Sequence, residues 1–226
     1  MCGRYSLFTP PEELEDRFDA AFGERFDPRY NATPGQTLPV VTDDAPTSFS
    51  HLRWGLIPRW ADDGSDGHIN ARAETVAEKP TFADAYAKRR CLVPADGFYE
   101  WARTDDGTQP YRVALEDDEP FAMAGLWEQW IPDTLQTGLG DFADDGPSGD
   151  ADPVETFTII TTEPNDVVEP LHGRMAVILS PDEEDRWLDG EDVPLDPYDP
   201  DPMRAYPVST AVNDPSNDSP ALIEVL

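Results

Sequence analysis

The chain has 226 residues, of which 47 are acidic and 16 basic, for a formal net charge of −31. Hydrophobic residues make up 38%, with six Trp, seven Tyr and ten Phe, which is enough for a packed core and excludes a disordered acidic tail. No apolar run approaches the ~20 residues of a membrane span, and two cysteines, Cys2 and Cys91, make no disulfide framework.

The N-terminal segment lacks the basic-then-apolar layout of a secretion signal, so a cytoplasmic protein with no membrane partner is expected. Only two of the basic residues are lysines, Lys79 and Lys88. An acidic, lysine-poor surface suits a halophilic cytosol, where molar salt screens self-repulsion within a few ångströms. The charge is uneven: residues 49–101 carry seven basic and eight acidic side chains, residues 102–226 five and thirty. An anionic partner is therefore expected on a surface that includes the near-neutral middle.

In chain order, Pro10 to Leu14 opens a helix with Thr9 as its cap and Leu14, Phe18 and Phe22 on one face. Tyr30 to Gln36 is a loop punctuated by Asn, Pro and Gly. Leu38–Thr42 and Phe49–Trp54 read as strands, and Thr81–Arg89 as a short helix. Cys91–Val93, Gly97–Ala102, Tyr111–Glu116 and Phe121–Trp127 read as successive strands, with turns at Asp105-Asp106-Gly107 and Asp117-Asp118. Thr156–Thr161 and Met175–Leu179 are two more, and Pro181–Leu188 is a last helix capped by Ser180. Residues 132–153 and 189–202 are rich in Asp, Gly, Pro and Ser and are expected to be exposed, mobile, acidic insertions. Strands outnumber helices without alternating with them, so the fold class is α+β, one domain with a mainly antiparallel sheet.

Cys2 directly follows Met1. Removal of Met1 gives a 1,2-aminothiol, whose amine condenses with an aldehyde and whose thiolate closes onto the imine as a five-membered thiazolidine. A buried small hydrophobe is the plainer reading of Cys2 alone. Three further segments concentrate polar residues among apolar ones: His68 to Thr75, Pro94 to Trp101, and Leu171 to Met175. Each has an ordinary reading too. Glu100 fits the outer phase of a strand, His172 a turn, and Arg72 with Glu74 a surface pair. There is no CxxC or HExxH spacing, so neither a metal nor a cofactor is expected.

Together these segments resemble the SRAP family, the SOS-response-associated peptidases, whose members crosslink to abasic sites in single-stranded DNA. The resemblance rests on Cys2-Gly3-Arg4, Tyr30 to Pro34, Trp54 to Trp60, Asn70 to Thr75, Arg90 to Trp101, Ala124 to Trp127, Phe157–Thr162 and Leu171 to Met175. It runs from residue 2 to about 188, is interrupted at 132–153, and departs at Thr33, where relatives often carry another small residue. It implies a single domain over 2–226 with a barrel-like β core and short flanking helices. It also implies that Cys2 supplies amine and thiol, that Glu100 is the acid/base, and that His172 stabilises the opening sugar oxygen. Asn70 is implied to hold the amine or the sugar. By the same resemblance Arg4, Arg72 and Arg174 bind phosphates, and Pro34 and Trp54 wedge beside or stack on bases. Trp60 and Trp101 are as compatible with a core. The implied partner is single-stranded DNA carrying abasic sites, captured by a monomer, and the peptidase of the family name fits removal of Met1. Two other readings remain at this stage: a Cys2-dependent amide hydrolase of the N-terminal-nucleophile type, which turns over and needs no phosphate-binding arginines, and a non-catalytic DNA-binding module.

Overall fold

The computed structural model describes residues 2–64, 67–105, 107–131 and 153–226. The strands are β1 (Tyr5–Leu7), β2 (Ala21–Phe22), β3 (Arg29–Ala32), β4 (Thr37–Thr42), β5 (Ser48–Trp54), β6 (Asn70–Arg72), β7 (Arg90–Ala95), β8 (Gly97–Thr104), β9 (Gly107–Leu115), β10 (Phe121–Trp130), β11 (Val154–Thr162), β12 (Met175–Ala176), β13 (Ile178–Leu179) and β14 (Met203–Pro207). The helices are α1 (Pro11–Phe18), α2 (Ala83–Lys88) and α3 (Pro181–Leu188). Among the described residues the protein is an α+β domain built on strands, with helices only at the periphery.

Five strands close into a barrel: β4 pairs β5, β4 pairs β7, β7 pairs β10 and β10 pairs β11, all antiparallel, and a parallel pairing of β11 with β5 shuts the ring. Closure removes the exposed edges that a five-stranded open sheet would present. The interior is aliphatic and aromatic: Val40, Leu52, Val93, Met123, Phe157 and Ile159 are buried. Gly125 is required where β10 crosses the interior. A Cβ there would lie 2.8 Å from both the Cys91 Sγ and a Val93 methyl.

A second sheet, in the order β14-β9-β8-β1-β3, leans on the barrel. The chain passes from barrel to sheet at Asp96, between β7 and β8, and that corner is stitched by polar groups. The buried Asp96 carboxylate accepts the backbone N–H groups of Phe8 and Thr9, the latter at 3.3 Å. Arg112 on β9, fully buried, donates to the Asp96 carbonyl at 2.9 Å, to Asp118 at 2.6 Å and to the Tyr206 hydroxyl at 2.7 Å. A buried guanidinium is tolerated because its donors are paired in this way.

Local differences from the sequence reading have physical causes. Helix α1 stops at Phe18 because Asp19 turns left-handed (φ 47°), and its N-cap position is Pro10, not Thr9. Phe22 therefore leaves the helix face and stacks on Phe26 and Phe49 instead. The Tyr30 loop begins three residues later than expected, at Thr33, since Arg29–Ala32 pairs with β1. The Met175–Leu179 strand divides into β12, paired with β11, and β13, paired with β10. Ser180 does cap α3: Glu183 returns its carboxylate to the Ser180 N–H at 2.9 Å, closing a capping box. Residues 189–202 are largely exposed but anchored. Val193 is buried, Leu195 and Tyr198 pack on the core, and the Tyr198 carbonyl accepts from Asn165 at 2.8 Å. The insertion read at 132–153 lies, but for Pro153, outside the described residues, as does Asp106 of the expected turn.

Candidate active site

The site forms where the second sheet meets the barrel. Strand β1 runs antiparallel to β8 with Tyr5 opposite Phe98, and the Arg4 carbonyl accepts the Tyr99 N–H at 2.9 Å. Continuing that pairing outward carries Cys2 towards Glu100. Gly97 lets the sheet close at this point, because a Cβ would lie 2.8 Å from the Val113 carbonyl and 2.9 Å from the Arg112 Nε.

From the barrel side comes Asn70, on β6, which pairs in parallel with β11. Its Nδ2 donates to the Cys2 carbonyl at 3.0 Å. Its Oδ1 is buried and has no hydrogen-bond partner among the described residues. His172 lies in the turn between β11 and β12. Its Nδ1 accepts the Arg174 N–H at 3.1 Å and is 3.1 Å from the Arg174 carbonyl. The same Nδ1 stands 4.0 Å from Oε2 of Glu100, too long for a direct hydrogen bond. Cys2, Asn70, Glu100 and His172, expected as the catalytic set, thus converge from four separate segments.

Burial sets the protonation chemistry. Glu100 is 2% exposed. Loss of water pushes its carboxyl up to about 8. The Cys2 thiol, fully buried, is pushed up to about 12 by burial and then by the charge of Glu100. Tyr5, with a buried hydroxyl that has no partner among the described residues, is raised well above its ordinary value by burial and by the neighbouring Cys2. At neutral pH the arrangement holds Glu100 largely as the acid and Cys2 as the thiol. Thiolate forms only when a nearby base takes its proton.

The expected DNA-contacting residues separate into two groups. Pro34 and Arg72 are exposed, and the Arg72 side chain makes no hydrogen bond or ion pair among the described residues beyond its attraction to Glu74. Arg4 and Arg174 are committed within the fold. Arg4 Nη1 donates to Asn31 Oδ1 at 2.8 Å and to the Val212 carbonyl at 2.5 Å, with Trp101 5.8 Å away under its guanidinium. Arg174 pairs with Glu74 through both terminal nitrogens and donates to the Thr161 carbonyl at 2.5 Å.

Trp54 corrects the expectation of a base-stacking surface. It is 1% exposed, packs against Tyr5 and Phe157 and donates its indole N–H to the Ile69 carbonyl at 3.0 Å. The exposed aromatic is Trp60, at 63%, on a loop held by Arg59 to Glu128 at 3.1 Å and by the Trp130 N–H to the Ala61 carbonyl at 2.8 Å. The cleft beside it, about 270 Å³, is lined by Pro58, Trp60, Ala61, Asp62, Asp63 and His68.

Residues that the sequence reading left without a role also shape the site. Asn31 donates Nδ2 to the carbonyls of Asp214 at 3.1 Å and Asn217 at 2.7 Å, while Asn213 accepts the Trp101 indole N–H at 2.7 Å. These bonds bring the C-terminal segment against the N-terminus. No local pattern signals a partnership across so long a sequence separation. No group of three or more His, Cys, Asp or Glu among the described residues is arranged to hold a metal, and no helix among them is long and apolar enough to cross a membrane.

The sequence model of the SOS response associated peptidase (SRAP) family matches residues 1–215. The abasic site processing protein YoqW of Bacillus subtilis (strain 168) is 42% identical over 238 residues, covering 99% of each chain. The abasic site processing protein HMCES of Gallus gallus is 34% identical over 222 residues, covering 87% of this chain and 66% of its own. A crystal structure of a Bacteroides thetaiotaomicron protein superposes with a TM-score of 0.84 at 25% identity, covering 100% of both chains. With a family match across nearly its whole length and full-length relatives above 40% identity, this chain belongs to the SRAP family.

Proposed function

We propose that this protein captures abasic sites in single-stranded DNA covalently, through a thiazolidine formed by Cys2 after Met1 is removed. The observation that carries the reading is the start of the chain held against a buried, protonated carboxyl, with Asn70 and His172 beside it. The names of the relatives, abasic site processing proteins, supply the lesion.

The chemistry follows from the groups present. An abasic sugar equilibrates between a closed ring and an open aldehyde. Glu100 donates a proton as the ring opens, and His172 steadies the oxygen that is released. The Cys2 amine adds to the aldehyde carbon to give a carbinolamine, which expels its hydroxyl as water to leave an iminium. Glu100, now a carboxylate, takes the thiol proton, and the sulfur closes onto the same carbon. The sum is amine, thiol and aldehyde giving thiazolidine and one water, with no oxidant or cofactor. Asn70 Oδ1, buried beside Cys2, is the acceptor for the new amine. Burial of both groups is part of the device, since a dry site strengthens every charge interaction within it.

Arg72 takes the phosphate role first, because its guanidinium is exposed and uncommitted to a hydrogen bond. Trp60 replaces Trp54 as the stacking aromatic, and Pro34 stands exposed on the loop after β3. A net charge of −31 opposes DNA. The protein therefore works by covalent capture, which depends less on equilibrium affinity, with weak reversible binding to intact strands.

The test is intact-protein mass spectrometry at molar salt, before and after mixing with a single-stranded oligonucleotide that carries one abasic site. A mass lacking Met1, followed by an adduct that requires both the lesion and Cys2, supports the reading. A demethionylated protein that forms no adduct overturns it and favours an amide hydrolase.

A further inference from the structure

Glu74 lies two residues beyond the end of β6, outside the catalytic set, and a surface ion pair is its ordinary interpretation. Its actual partner points elsewhere. Both carboxylate oxygens of Glu74 are taken by the two terminal nitrogens of Arg174, one at 2.9 Å. Arg174 in turn presents its own backbone to His172: its N–H reaches Nδ1 at 3.1 Å, and its carbonyl lies 3.1 Å from the same atom. The Thr161 carbonyl joins the two segments, accepting the Ala73 N–H at 2.9 Å and the Arg174 Nη2 at 2.5 Å.

We propose that Glu74 is a positioning residue for the crosslinking reaction, acting through Arg174 to hold the His172 ring beside Glu100. The inference rests on the abasic-site capture reading given above.

Three observations carry it. His172 sits on a short turn with no strand pairing of its own. Its ring is bonded by the backbone of Arg174, whose guanidinium is oriented by Glu74 and Thr161. Strand β6 carries Asn70 at one end and leads directly to Glu74 at the other, so one rigid element sets both the amide at Cys2 and the clamp on His172.

Stability alone does not explain the pair. Glu74 is about half exposed, and an exposed ion pair in molar salt contributes little through charge. A two-pronged guanidinium–carboxylate contact nevertheless fixes orientation strongly. Arg174 holds the Glu74 carboxyl below its usual value, with Arg72 adding to the effect, so the clamp stays ionised throughout the neutral range. This geometry also bears on Arg174 itself. Both of its terminal nitrogens are in use, so a phosphate could be gripped there only by displacing Glu74.

The two roles make opposite predictions for Glu74→Ala and Glu74→Gln. If Glu74 positions His172, the rate of adduct formation at saturating abasic oligonucleotide falls about fivefold to tenfold, while affinity for intact single strands is unchanged or improved. In a His172→Ala background, Glu74→Ala then has no further effect on rate. If Glu74 instead masks Arg174 from phosphate, the variants crosslink faster at every DNA concentration, which overturns the proposal.

A second readout needs no DNA. The chain has three histidines, so ¹H–¹⁵N correlation spectra of the imidazoles resolve His172, assigned by His172→Ala. Glu74→Gln is expected to shift the His172 nitrogens and leave His51 and His68 in place. Unmoved His172 signals overturn the positioning role even if the wild-type protein crosslinks normally. Absence of a wild-type adduct, with the His172 shift present, overturns the capture reading but leaves the Glu74 clamp standing.

Discussion

Oε2 of Glu100 and Nδ1 of His172 stand 4.0 Å apart at the junction of two sheets, the carboxyl buried and the imidazole part-exposed. The difference in solvent access divides their roles. Burial keeps Glu100 protonated at neutral pH, so it is the group that can give a proton and later take one back. His172 is the more solvent-accessible of the two, with 36% of its side chain exposed.

Glu100→Gln removes that proton traffic and keeps the shape. Adduct formation at saturating DNA is expected to slow by about 100-fold or more, with affinity for intact strands within about threefold. The wild-type rate of ring opening is expected to decline as pH rises through about 8, where the acid form of Glu100 is lost, and the variant's profile to be flat there. Rates measured from pH 6 to 9.5 with gel-resolved adduct check both. Equal losses in rate and affinity would assign Glu100 to structure alone.

The same carboxyl links pH to stability, with a sign set by its raised value. The folded protein holds this proton more tightly than the unfolded chain does. Stability from Glu100 is therefore fully present below the unfolded value of about 4.5 and is lost as pH rises through about 8. Glu100→Gln should melt like the wild type at pH 4 and higher than it at pH 9, a gain on the order of a few kcal/mol. Thermal melts at these two pH values decide it. A variant less stable at pH 9 would mean that the carboxylate has a partner worth more than its burial costs.

Much of this was legible in the residues, and what was not has a common cause. The barrel strands announce themselves through apolar runs bounded by turn residues, and Ser180 with Glu183 marks the start of α3 unambiguously. The candidate site was legible because Cys2, Asn70, Glu100 and His172, which the fold brings together, each sit in a distinctive segment. Trp54 and Trp60 were not separable, since a tryptophan in an apolar motif reads the same whether it fills a barrel or faces solvent. Asn31, Glu74 and the C-terminal turn at Thr210–Asn213 act only through partners remote in sequence, or through a neighbour's backbone. Three of the strands missed, β1, β2 and β6, are two or three residues long, too short to show a period.

Trp54 and Pro34 offer a direct separation of core from interface. Trp54→Ala leaves a large cavity between Tyr5 and Phe157 and is expected to cost about 3–5 kcal/mol. Pro34→Ala, on an exposed loop, should leave the melting temperature within about 2 °C while slowing capture at low DNA concentration. Denaturant unfolding and capture rates, measured side by side, test the pair. A stable Trp54→Ala protein with a binding defect would return Trp54 to the DNA surface.

A charge of −31 predicts a fold whose stability depends on salt. Screening acts over about 3 Å at 1 M and about 10 Å at 0.1 M, so dilution exposes the acidic surface to its own repulsion. The melting temperature should fall steadily as potassium chloride is lowered from 2 M to 0.1 M. A flat profile would show that the ion pairs spread through the fold, such as Arg17 with Glu184 and Arg89 with Glu128, are sufficient without added salt.

Salt also sorts the arginines. Each phosphate neutralised on a single strand adds about 0.7 to the slope of log affinity against log salt. Arg72 is exposed and its side chain engages no acceptor among the described residues, so Arg72→Gln should lower that slope by about 0.7 and leave the melting temperature alone. Arg4 is bound to Asn31 and to the Val212 carbonyl. Arg4→Gln should leave the slope alone and cost about 1–3 kcal/mol, because those bonds tie the start of the chain to its C-terminal segment. Binding of undamaged oligonucleotide to a Cys2→Ala protein, followed by fluorescence anisotropy from 0.3 to 2 M salt, reads the slope without interference from capture. If Arg4→Gln lowers the slope as much as Arg72→Gln does, then Arg4 exchanges its internal partners for phosphate on binding, and the N-terminus rearranges when DNA arrives.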